Sequence, residues 1–161
     1  MFQHFIYSGQ IYSMKDGDVV SSGTNEKSKI NEEWSRLARA WIFGDVILST
    51  SFKDALVDSI IRKTLIGQRH SRSMQDLIYP RSTAQASIRI LLVDIAVWKW
   101  KDSTLESLKI LPGMEQFLVD LSLALNKVKI KRRQGNAPWE DKDTCVYHEH
   151  GKEGICYKKM F

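Results

Sequence analysis

Apolar residues recur at intervals of three and four along most of this chain, a period that belongs to helices with one buried face. Between Asn31 and Leu48 the residues Trp34, Leu37, Ala38, Trp41 and Leu48 keep that spacing, with Asp45 as the polar exception, and predict a helix over 31–48. After Ser49-Thr50, the motif Ser51-x-x-Asp54 reads as a capping box for a second helix over 52–65 that buries Phe52, Ala55, Leu56 and Ile60. So short a break makes the two helices antiparallel neighbours. Met74, Leu77 and Ile78 form a brief helical piece closed by Tyr79-Pro80. Ser82-x-x-Gln85 offers a cap for a third long helix, 84–100, that buries Ile88, Leu91, Leu92 and Ile95 and turns Arg89 and Asp94 elsewhere. Pro112 suits the start of a fourth, 113–132, whose buried face is Met114, Phe117, Leu118, Leu121, Leu125 and Val128. The predicted class is mainly α.

A length of 161 residues with 43% hydrophobic content supports one core. The polar stretch Lys15–Lys29 is a loop, and the tail from Asn136 to Phe161 lacks periodicity. Three parts follow: 1–66, a helical extension over 67–135, and an irregular tail over 136–161. The net charge of +5 is modest and gathers in Lys127–Arg133, where cations also stabilise a helix C-terminus, so nucleic acid is not the expected partner. The two cysteines, Cys145 and Cys156, cannot staple the body of the domain, and Met1–Ser8 has no signal-peptide pattern. Ile88–Trp98, the most apolar run, is too short and too charged to span a bilayer. The expected setting is intracellular, cytoplasm or nucleus.

Enzyme chemistry lacks its usual signals, since no Gly-x-Gly-x-x-Gly, no phosphate loop and no Gly-x-Ser-x-Gly elbow occurs. Glu32-Glu33 reads as a favourable first-turn charge, His70 as a loop histidine without an orienting carboxylate, and His4 as a residue with no assigned chemistry. No catalytic or cofactor-binding residue is predicted. One constellation stands out, Cys145-x-x-His148-x-His150-x5-Cys156, whose four ligands match the number and types that tetrahedral zinc accepts. Gly151 and Gly154 would let the chain fold back and bring Cys156 to the others. Two readings stand here: a flexible tail with no cofactor, and one structural zinc.

Phe5-Ile6-Tyr7-Ser8-Gly9-Gln10-Ile11, Trp41-Ile42-Phe43-Gly44-Asp45 and Ser51-Phe52-Lys53-Asp54-Ala55 keep the order and spacing of the last helices of a BTB/POZ domain. Ile78-Tyr79-Pro80-Arg81-Ser82, Ile88–Ile95, Asn136-Ala137-Pro138-Trp139 and Cys145–His150 resemble the extension that follows that domain in fungal proteins. Nearly the whole chain therefore resembles the back half of a fungal BTB/POZ protein. The resemblance implies that 1–66 is the C-terminal, helical part of an α+β domain, and that the function is protein–protein contact through self-association or a cullin ubiquitin ligase. The strands of such a domain would precede Met1. Helix faces that expect the sheet would then be exposed, with Trp34, Trp41 and Phe52 as the interaction residues. The alternative reading is a zinc-stabilised basic fragment that binds nucleic acid.

Overall fold

The computed structural model describes residues 1–13, 26–67, 71–106, 112–128, 136–141, 143–151 and 154–161. The order is α1 (Phe2–Ser8), α2 (Glu26–Val46), α3 (Thr50–Leu65), α4 (Ser73–Ile78), α5 (Ser87–Lys99), α6 (Asp102–Glu106), α7 (Glu115–Val128) and α8 (Pro138–Asp141). Short 3-10 turns follow α4 at Tyr79–Arg81 and fold the tail at Thr144–Tyr147 and Tyr157–Lys159. Among the described residues there is no strand, and no helix is long and apolar enough to cross a membrane. The expected mainly α class is what the chain adopts. The loop expected over Lys15–Lys29 already turns helical at Glu26, and its first part, like His70 and the run Lys129–Arg133, lies outside the described residues.

α2 packs on α3 and α4, α5 packs on α7, and the two tail turns close over α3 and α5. Trp34, Leu37, Ala38 and Trp41 of α2 meet Phe52, Leu56 and Ile60 of α3 in one continuous core with Ile88, Leu91, Leu92 and Ile95 of α5. The predicted exposure of the tryptophan face is corrected here. Trp34 and Trp41 are 1% exposed and Phe52 is fully enclosed, because α3, α4 and α1 cover them. Phe2 and Phe5 of α1 stack against Phe52 at 5.0 and 5.3 Å between ring centres.

α3 is buried at every position from Phe52 to Ile61, on its polar side as well as its apolar one. A buried polar group must be paired. Lys53 donates to Asp45 at 2.8 Å and to Glu149, and it lies 5.2 Å from the Trp41 ring. Asp54 accepts the backbone N–H of Glu149 at 2.7 Å, so it serves the tail and not the predicted capping box; the N-cap, Ser49, makes no side-chain cap bond. The other predicted cap is also displaced. Ser82 lies five residues before α5 and accepts from Arg89 Nε at 2.9 Å.

Arg89, expected to point outward, is 9% exposed. Its guanidinium donates to the carbonyls of Tyr79 and Ser82 at 2.7 and 2.5 Å and rests 4.5 Å from the Tyr79 ring. It therefore clamps the turn after α4 to the first turn of α5. Hydrogen bonds to a charged group contribute roughly 1.5–3 kcal/mol. Arg89→Met is expected to lower the melting temperature by about 5–10 °C, and a melt within a degree of wild type would show that the clamp contributes nothing.

Candidate metal centre

The tail is fixed by what it buries. Tyr147 and Tyr157 enter the core at 1% and 8% exposure, and their hydroxyls donate to Asp94 and Asp58, each at 2.7 Å. Burial first, and the neighbouring carboxylate second, push both phenols far above their ordinary range. The turn Thr144–Tyr147 is capped by Asp143, whose carboxylate accepts the Cys145 N–H at 3.1 Å. With both turns held, the cysteine and histidine side chains gather together, His148 and Cys156 buried and Cys145 and His150 half-buried.

Cys145, His148, His150 and Cys156 each offer one ligand atom, and these atoms lie within 4.8 Å of one another. The two sulfurs are 3.9 Å apart and Cys156 Sγ is 3.7 Å from His148 Nδ1. In a tetrahedron built on ordinary zinc bond lengths these separations come to about 3.8 and 3.6 Å. His150 Nδ1 lies 2.6 Å from the Gly151 carbonyl, which makes Nδ1 the donor and leaves Nε2 with its lone pair. That Nε2 is buried without a hydrogen-bond partner. Burial raises the Cys145 thiol first, and its contacts with Asp143 and Cys156 add to this, so it is pushed up to about 12. A cation between the sulfurs would reverse that balance.

No family model, curated protein or solved structure matches this chain. The site is accordingly read from its own chemistry. The four residues singled out by spacing are brought together, whereas Trp34, Trp41 and Phe52 belong to the core. Sequence reasoning missed Asp58 and gave Asp54 only a capping role. The signal was present as two carboxylates four residues apart on a helix rich in core residues, where a buried charge needs a partner.

The glycines behave as expected from the spacing. Gly151 has φ 66°, and a Cβ at Gly154 would lie 2.0 Å from the His150 carbonyl oxygen. Only glycine permits the return that carries Cys156 back to His148. Gly154→Ala, which changes no ligand, is expected to weaken metal binding at least about tenfold by displacing His150. Unchanged affinity in a chelator competition would mean that this return does not shape the site.

Proposed function

We propose that this chain is a non-catalytic helical module for protein contacts, of the BTB/POZ type that the resemblance implies, with its tail tied down by one structural zinc. The carrying observation is the closed set of Cys145, His148, His150 and Cys156. Four protein ligands leave zinc no open position for a reactive water, and such sites contribute to folding, not to turnover. A zinc ion there would join the turn at Thr144–Tyr147 to the chain before Tyr157–Lys159.

The surface that supports protein contact is the α2–α3 turn. Leu48 is 86% exposed and adopts φ 54°, the left-handed region that disfavours a branched side chain. Phe43, Val46 and Ile47 beside it are exposed as well. Strain of this kind costs about 1 kcal/mol, and here it holds an apolar side chain out in water, which favours a covered state. A second copy of this chain is the partner proposed, in line with the self-association that the resemblance implies. A cullin ligase is implied in the same way, and no described contact favours it. The nucleic-acid alternative rests on Lys127–Arg133, most of which lies outside the described residues.

Leu48→Asn separates surface from scaffold, because asparagine tolerates the left-handed backbone and removes the apolar group. The expected result by sedimentation velocity is a self-associating wild type and a monomeric variant that is at least as stable. A monomeric wild type at high micromolar concentration would contradict the proposed contact.

A further inference from the structure

We propose that Asp58 of α3 is the positioning residue of the metal centre. It fixes His148 as an Nδ1 ligand and latches the metal-bearing tail onto the helical core. This rests on the zinc reading above.

Four tail groups converge on this one carboxylate. Thr144 Oγ1 donates to Oδ1 at 2.6 Å, and Tyr157 Oη donates to Oδ2 at 2.7 Å. Lys158 Nζ lies 3.0 Å from Oδ2, and His148 Nε2 lies 3.1 Å from Oδ1, a contact bent away from a straight hydrogen bond. The donors come from both sides of the four ligands in sequence, so Asp58 grips the whole metal loop. His148 is enclosed, with no exposed side-chain surface, and Asp58 is 8% exposed.

The two ring nitrogens of His148 face different groups. Nε2 faces Asp58, while Nδ1 faces Cys156 Sγ at 3.7 Å, on the side where the other ligand atoms gather. A carboxylate beside Nε2 holds the proton there and leaves the Nδ1 lone pair for a metal, the arrangement by which outer carboxylates orient metal-bound histidines. His150 has the reverse polarity, since its Nδ1–H donates to the Gly151 carbonyl and Nε2 keeps its lone pair. The two histidines would thus bind through different nitrogens, each chosen by a partner outside the ligand set.

Asp58→Asn keeps the shape and one oxygen acceptor, so either Thr144 or Tyr157 keeps its bond, but it loses the charge that holds the His148 proton. With the full chain and zinc alone, competition against a chromophoric chelator is expected to show about 10–100-fold weaker binding than wild type. Nitrogen-15 spectra of the histidines in the zinc-loaded wild type should show His148 protonated at Nε2 and metal-bound at Nδ1, with the opposite pattern at His150. Wild-type affinity within threefold in Asp58→Asn, or a His148 bound through Nε2, would overturn the role of Asp58 and leave the zinc site standing. A wild type that binds no zinc would overturn both. The spectra need only wild-type protein, so a variant that fails to fold does not shield the proposal.

Discussion

Trp41→Ala is expected to cost about 3–5 kcal/mol, the range for truncating a large aromatic in a closed core. Trp41 is 1% exposed between α2 and α3, with the Lys53 ammonium 5.2 Å from its ring. The loss removes that core filling and also the apolar surface beneath a buried charge that bridges Asp45 and Glu149. Natural domains have about 5–15 kcal/mol in all. The variant should therefore melt at least about 10 °C lower and unfold at much lower denaturant. Were Trp41 an interaction residue, its truncation would spare folding and weaken association. Stability within about 1 kcal/mol of wild type would refute its place in the core.

Metal removal is the second large effect. Structural zinc sites in small domains carry on the order of 10 kcal/mol of apparent binding energy, and that energy is folding energy for the loop that supplies the ligands. Here the loop is the tail from Thr144 to Tyr157, which covers α3 and α5. Chelation should speed proteolysis within the tail at least about a hundredfold while α2, α3, α5 and α7 themselves stay protected, since even about 3 kcal/mol of lost ligand stabilisation shifts opening that far. Cys145→Ser should behave like the chelated wild type. Equal cleavage with and without chelator would sever the link between metal and tail.

The affinity should also depend on pH in a definite direction. Burial, Asp143 and Cys156 make the Cys145 thiol hold its proton more tightly than usual. A metal must displace that proton, so acid favours the metal-free form. Zinc affinity is expected to fall by about tenfold or more per unit between about pH 8 and 6, and a flat profile in the same competition assay would exclude thiolate ligation.

Much of the fold was legible because helical periodicity reports burial on one face. Trp34, Leu37, Ala38 and Trp41, and likewise Ile88, Leu91, Leu92 and Ile95, lie where that period puts them. The period says nothing about what covers the opposite face. Lys53, Asp54 and Asp58 lie off the apolar stripe of the helix, yet they are buried because a segment almost a hundred residues later docks on them. The caps failed for a related reason. Ser51, Asp54 and Ser82 have good local capping chemistry, but Asp54 is taken by the tail and Ser82 by Arg89, and Ser51 lies within 3.6 Å of Met160 Sδ. The grouping of Cys145, His148, His150 and Cys156 was legible because cysteine and histidine are scarce here and their spacing is tight, whereas the contacts of the two imidazoles with Asp58 and the Gly151 carbonyl are revealed by no spacing.

Elemental analysis of protein purified without chelator tests the central claim most directly. The account predicts about one equivalent of zinc per chain in the wild type and loss of it in both Cys145→Ser and His148→Ala. Less than about a tenth of an equivalent in the wild type, or the same zinc content in the two variants, would contradict it.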